Sequence, residues 1–464
     1  MNRRRFVAAA LAAAVPGPAR HRPGRLAVSD RALALVLRNG RCLRAGRWRV
    51  GDVGIDASGK LVFGDGLEAA QTIDVTDRVV APGFIDVLAD NSSNPSSTFP
   101  IFERYKVADG VSTALQMHGG SVDCEAYYAE FGARPHLINY GVSTAMMTVR
   151  ARVASLRERR RVVERNLANG ALGVSHSLEY QPTSYDETLE YAKIAARYDR
   201  PFFLHLRYSS AEQELDGVAE AIQLARDSGV RLHIDHLHST GGTFHMEEAL
   251  MMIRSAIDAG CRITVCVYPY TFWATYLYSR RFGPGWQERY GLGHHDLRVV
   301  GTGERLTSES FARYRQTGVL VAVPEGTMPC EQTIDLAVRE DFCLIASDGG
   351  IQAEPRANSH PRGAGCFAAA IRYGLDHGIE LERILAKMTS LPREVVRPAL
   401  AGRGLLEDGA VADLTVFDPV TIRGNASLEN PNQFSVGIDL VIVNGQPAYR
   451  DQQPAVKNGT AIRH

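Results

Sequence analysis

The sequence predicts an α/β fold: a parallel barrel of eight β/α units, with a small β-rich domain assembled from the two ends of the chain. Three observations predict it. Short apolar strand candidates recur eight times through the middle: Gly83–Val87, Ser112–Met117, Leu137–Val142, Ala171–Ser175, Phe202–Leu206, Leu232–His236, Ile263–Val267 and Phe342–Ala346. Helical stretches separate most of them, and repeated strand-then-helix alternation implies a parallel sheet. Both ends instead carry short β-rich segments broken by turn pairs such as Ser58-Gly59 and Asn444-Gly445.

Taken in order, residues 1–30 read as an address. Arg3, Arg4 and Arg5 precede Phe6, an apolar run from Val7 to Val15, and small residues up to Ala19. A basic head, a short apolar body and a small-residue exit form the export-signal pattern. The adjacent arginines followed by Phe suggest its twin-arginine form, which delivers folded proteins to the periplasm or outside. Residues 31–80 read as the first part of the small sheet domain, through Leu35-Val36-Leu37, Asp52–Ile55, Leu61–Phe63 and Thr72–Val75. Asn39-Gly40 reads as a turn there. Residues 81–403 read as the barrel, with helices at Ser155–Leu167, Asp186–Tyr198, Glu212–Ser228 and Glu247–Ala259. Residues 275–315, rich in Tyr, Arg and Gly, break the rhythm and read as a long loop with an extra segment, and long loops on such a fold are often lids. Residues 404–464 complete the small domain through Ala412–Phe417 and Leu440–Val443.

Composition excludes several classes. The 464 residues carry 52 Lys+Arg against 52 Asp+Glu, a net charge of zero. Phosphate affinity needs a surplus of cations, so nucleic acid is not the expected partner. No apolar run approaches the roughly 20 residues needed to span a bilayer. The seven cysteines are scattered and never spaced as CxxC, so no disulfide or zinc-ribbon framework is visible. A small-molecule substrate is the remaining expectation.

Chemistry on a parallel barrel sits at the C-terminal ends of its strands. There the sequence places Asp90 after the first strand, His118 at the second, and Glu179 after the fourth. His205 ends the fifth strand, His236 and His238 the sixth, Tyr268 the seventh and Asp348 the eighth. Histidines on consecutive strands, with an aspartate closing the eighth, point to a metal site. Imidazole and carboxylate suit zinc, with iron, manganese and cobalt sharing the ligand types. Strand alternation puts His233 with Asp235, away from His236, and puts His238 on the His236 face, toward substrate.

The chain resembles the amidohydrolase superfamily, and within it the N-acyl-D-amino-acid deacylases (D-aminoacylases). The resemblance spans about residues 33 to 450. It rests on Ala81-Pro82-Gly83-Phe84-Ile85-Asp86, Gly110-Val111-Ser112-Thr113, Gly170-Ala171-Leu172-Gly173-Val174-Ser175 and Leu178-Glu179-Tyr180-Gln181-Pro182. His205-Leu206-Arg207, Tyr268-Pro269-Tyr270, Ser347-Asp348-Gly349, His360-Pro361-Arg362 and the tail from Ala412-Asp413-Leu414 to Val443-Asn444-Gly445 add to it. It implies a distorted (β/α)8 (TIM) barrel with a small β-sandwich from both termini. It implies one zinc ion on His205 and His236, Asp348 as general base, and Arg362 and Tyr268 as holders of a substrate carboxylate.

The departures are specific. Where the family has His-x-His after the first strand, this chain has Leu88-Ala89-Asp90. Leu88 cannot ligate and Asp90 can. The family's metal-binding cysteine falls near His118, the expected replacement. A Gly-His-Gly after the third strand is Ala145-Met146-Met147, and a substrate-side lysine is His238. The expected activity is hydrolysis of the amide of an N-acyl-D-amino acid or similar small amide. Two alternatives compete: opening or closure of a cyclic amide, and a catalytically inactive barrel used for binding.

Overall fold

The computed structural model describes residues 32–44, 46–89, 95–350 and 360–464. The expected export signal and Asp90 lie outside the described residues.

Eight parallel strands make the barrel sheet: Phe84–Asp86, Val111–Ser121, Asn139–Ala145, Val174–Ser177, Pro201–His205, Arg231–Ile234, Arg262–Val267 and Cys343–Ile345. They pair in chain order up to the seventh, which pairs with the eighth. Both faces are apolar, as a sheet covered by helices requires. Phe84, Ala114, Phe202, Leu204 and Val265 pack outward in one cluster. Ile85, Leu115, Phe203, Cys266 and Leu344 fill a second. Adjacent residues fall in different clusters because side chains alternate along a strand.

The first and last strands meet through a polar clasp. Ser347 N–H donates to Asp86 Oδ1 at 3.0 Å, and Gly349 N–H donates to Leu88 O at 3.1 Å. Lys106 Nζ, from the helix Pro95–Ala108, lies 2.7 Å from Asp86 Oδ2 and 2.7 Å from Ser347 Oγ. Both charged side chains are fully buried, so each satisfies what the other would leave unpaired.

The expected helices form with local signals intact. Ser155 caps Leu156–Ala168 by accepting from Glu158 N–H, and Ser184 caps Tyr185–Arg197 by accepting from Glu187 N–H. The helices Glu214–Ser228 and Met246–Asp258 also stand where expected.

The ends of the chain share one nine-stranded sheet. Its order runs Gln453–Pro454, Gln446–Arg450, Ile438–Val443, Leu414–Phe417, Val79–Pro82, Leu33–Arg44, Arg47–Asp56 and Leu61–Phe63, with Ala69–Asp74 also beside Leu33–Arg44. Asn444 and Gly445, both at positive φ, make the two-residue turn between Val443 and Gln446. Asn39-Gly40 does not turn the chain as expected. Asn39 at φ +61 marks a bulge within Leu33–Arg44, whose register shifts between Leu37 and Gly40.

The segment between the seventh and eighth strands also differs from expectation. It is not a long open loop. Ala274–Tyr276, Arg298–Val299 and Leu320–Ala322 form a three-stranded antiparallel sheet. Its own core includes Phe272, Trp273, Phe282, Trp286 and Val321. The Gly-rich stretches separate these short elements. No helix among the described residues is long and apolar enough to cross a membrane.

Candidate metal centre

A cavity of about 900 Å³ opens at the C-terminal ends of the strands. His118, His205, His236, Tyr268, Asp348 and Arg362 all line it, which brings together six of the residues picked from sequence. Gly120 lets the second strand curl over the rim. Its φ is +81°, and a Cβ there would sit 2.5 Å from Ser143 Oγ and 2.6 Å from Ser143 O.

His118, His205 and His236 converge, with one ring nitrogen from each within 4.8 Å of the others. His205 Nδ1 lies 3.1 Å from His236 Nε2. Each ring spends its other nitrogen on an outer partner. His205 Nε2 lies 2.8 Å from Glu179 Oε2. An ionised carboxylate only accepts, so Nε2 carries the proton and Nδ1 keeps its lone pair. His118 Nδ1 lies 2.6 Å from Asp235 Oδ2, leaving Nε2 free. His236 Nδ1 lies 2.9 Å from Ser239 Oγ, leaving Nε2 free. Carboxylate or hydroxyl behind each ring is the arrangement that orients metal-ligating histidines.

The donor set fits a zinc ion. Zinc–nitrogen bonds of about 2.0–2.1 Å in a tetrahedral site separate two ligand nitrogens by roughly 3.3 Å. The 3.1 Å between His205 Nδ1 and His236 Nε2 is close to that separation. Two lone pairs facing each other so closely repel unless a proton or a cation lies between them. Burial holds the His205 and His236 rings below the usual imidazole range, more so for His236, and a neutral ring is the ligating form. For His118 burial acts the same way, but the hydrogen bond and charge of Asp235 outweigh it and raise the ring above that range.

Asp348 sits three residues past the eighth strand's end at Ile345, at φ +46°. Its Oδ2 lies 3.9 Å from His236 Nε2 and 2.6 Å from Arg362 Nη2. Arg362 Nε also donates to the Asp348 carbonyl at 2.9 Å, and the guanidinium lies 4.4 Å over the Tyr268 ring. Arg362 is therefore not a free cation: it aims Asp348 while facing the cavity.

Two expectations from strand alternation fail. The sixth strand ends at Ile234, and His236 has φ +28°, so the pleat no longer governs there. Asp235 and His236 both serve the site, one through His118 and one directly. His238 is not on the cavity wall. It is fully buried against Tyr268, ring centroids 4.1 Å apart, and its Nε2 accepts the Tyr268 N–H at 3.4 Å. His233 lies apart from the site, its Nδ1 2.9 Å from Thr264 Oγ1.

Besides Asp235, which alternation places away from the site, Ser239 and Arg281 are functional partners that the sequence does not mark. Arg281 Nε and Nη2 lie 3.2 and 3.0 Å from Glu179 Oε2. Burial pushes the Glu179 carboxyl up, but Arg281, His205 and Ser209 together pull it down to about 2. No local pattern marks Asp235 or Arg281, whose contacts join distant parts of the chain, whereas Ser239 meets His236 only three residues away.

No protein-family model matches the chain. Among curated proteins it is 27% identical to an N-acyl-D-glutamate deacylase of Alcaligenes xylosoxydans xylosoxydans, over 89% of this chain and 93% of that one. It is 28% identical to a D-aminoacylase of the same organism, over 87% of this chain and 91% of that one. Among solved structures, an N-acyl-D-glutamate deacylase from Bordetella bronchiseptica, complexed with zinc and a phosphonate inhibitor, superposes with a TM-score of 0.79. That match covers 93% of this chain and 100% of the other at 24% identity. In sequence over most of its length this chain is thus similar to an N-acyl-D-glutamate deacylase and a D-aminoacylase, and over nearly all of that length it shares the fold of a zinc-bound N-acyl-D-glutamate deacylase.

Proposed function

We propose that the protein hydrolyses the amide bond of an N-acyl-D-amino acid, with zinc held by His118, His205 and His236. The observation that carries this reading is the convergence of the three rings, each with its second nitrogen engaged. The similarity to two deacylases over most of the chain supports it. An inactive barrel needs no such outer partners. A bound divalent cation supplies Lewis acidity, which acidifies water and polarises a carbonyl.

The remaining roles fall to this chain's own groups. Arg362 presents a planar guanidinium to the cavity, suited to a substrate carboxylate, and Tyr268 lies beneath it. Asp348 accepts a proton from the attacking water and returns it to the departing amine nitrogen. Arg362 holds the Asp348 carboxylate at 2.6 Å. A substrate carboxylate arriving at Arg362 competes for that contact and releases a lone pair on Asp348. Binding and base activation are then one event, which favours substrates with a free carboxylate.

The residues at 1–30 support export as an expectation from their order alone, and N-terminal sequencing of the mature protein tests it. For the activity, purified chain is loaded with Zn²⁺ and offered matched N-acyl-D- and N-acyl-L-amino acids. Turnover of D substrates, lost in Asp348→Asn and His236→Ala, is expected. Absence of turnover on any D substrate would overturn the reading.

A further inference from the structure

The inserted segment between the seventh and eighth strands lines the same cavity as the metal centre, and its Arg281 meets the outer partners of the converging rings directly. Arg281 stands in the short helix Arg280–Phe282 and is almost wholly buried. Its guanidinium lies 4.8 Å over the Trp273 ring. Its polar contacts run inward. Nε and Nη2 meet Glu179 Oε2 at 3.2 and 3.0 Å, and Nη2 donates to Ser239 O at 2.9 Å.

Those two residues are the outer partners of two of the three converging rings. Glu179 Oε2 receives His205 Nε2, and Ser239 Oγ faces His236 Nδ1. Ser209 Oγ donates to the other Glu179 oxygen and lies 3.2 Å from Tyr290 Oη, which also belongs to the inserted segment. A carboxylate this buried needs its cation: among the described residues its ion-pair partners are Arg281 and His205, the histidine it orients.

We infer that Arg281 is a positioning residue for the metal centre, holding Glu179 and Ser239 and through them the rings of His205 and His236. This rests on the metal reading given above. Docking of the inserted segment and metal affinity are then coupled, and the coupling is reciprocal: metal tightens the segment as the segment tightens metal.

The test uses the full chain and Co²⁺ as a visible probe. Affinity is measured by competition with a chelator, ligand geometry by the d–d absorption band, and segment docking by tryptic cleavage within residues 280–315. Arg281→Met is expected to lower Co²⁺ affinity about 10- to 100-fold, the usual loss for an outer-shell partner. It should also shift the band and abolish the protection that Co²⁺ gives against trypsin. Arg281→Lys, which keeps the charge but not the fork, should recover part of the loss. A folded Arg281→Met protein with unchanged affinity, band and protection overturns the inference. If Arg281→Met does not fold, Glu179→Gln and Ser239→Ala each remove one arm. Wild-type affinity in both overturns the inference equally. Wild-type protein that takes up less than about a tenth of a Co²⁺ per chain instead sinks the metal reading itself, and the inference falls with it.

Discussion

Replacing Lys106 with Met should destabilise the barrel at its seam and blunt the site above it. Lys106 Nζ lies 2.7 Å from Asp86 Oδ2, and both side chains are fully buried. Met fills a similar volume but leaves Asp86 without its cation. Lys106 also opposes the upward push that burial gives the Asp109 carboxyl, which stands at about 7. Breaking a buried pair by removing one partner costs about 3–5 kcal/mol, because an uncompensated charge remains. In a unit of this size that corresponds to a fall in Tm of roughly 3–6 °C. The effect should be relieved by a second change. Asp86→Asn in the Lys106→Met background removes the stranded charge while keeping an acceptor for Ser347 N–H, and should recover most of the loss. Differential scanning calorimetry of the four proteins of this cycle measures the coupling directly. Ser347 precedes Asp348, so Lys106→Met should also lower kcat. A single variant within about 1 kcal/mol of wild type, or a double variant as unstable as the two singles combined, would refute the reasoning.

Three other outcomes follow from the same structure. His118→Ala should weaken Zn²⁺ binding at least about 10-fold in chelator competition, while His118→Cys, which keeps a ligand type zinc accepts, should hold metal better than Ala. Arg362→Lys should lower kcat/KM for N-acyl-D-amino acids by about 10-fold or more, because an ammonium cannot hold Asp348 and a carboxylate with one planar fork; steady-state kinetics checks it. Glu187 accepts from Arg150 and Arg159, and although burial opposes charge there, these contacts lower its carboxyl from 4.5 to about 2. Its pKa is depressed in the folded state, so its stabilisation is fully present above about pH 4.5 and is lost as pH falls toward 2. Urea midpoints of wild type and Glu187→Gln should accordingly differ at pH 7 and converge through that window.

The parts of the fold that were legible are those written in local periodicity. Phe202–Leu206 and Leu232–His236 are short apolar runs bounded by helical stretches, and they fold as strands within two residues of those bounds at either end. The chemical residues were legible because a barrel exposes only the strand ends, so His118, His205, His236 and Asp348 needed no contact information. Glu179 was legible on the same ground, but the outer partners Asp235 and Arg281 were not. Asp235 meets His118 across 117 residues, and Arg281 meets Glu179 across 102. Such pairings are set by tertiary packing, which leaves no period in the sequence. Alternation misjudged Asp235 and His238 for a related reason: it holds only while the strand lasts, and positive φ at His236 ends it. The inserted segment was read as loop because its strands are three residues or fewer and its core is shared among distant aromatic residues.

The nine-stranded sheet sets an order on assembly. Val79–Pro82 lies between Leu33–Arg44 and Leu414–Phe417, with Val79 opposite Phe417. During synthesis the first strands leave the ribosome long before that neighbour exists. The edge of Val79–Pro82 must therefore wait, with its hydrogen-bonding groups unpaired, while the whole barrel is made. An open edge of apolar strands is an aggregation hazard for as long as it lasts. Completion of the sheet then waits on residues 414–454, and a chaperone that shields strand edges should raise the yield of folded protein more than one that accelerates helix packing.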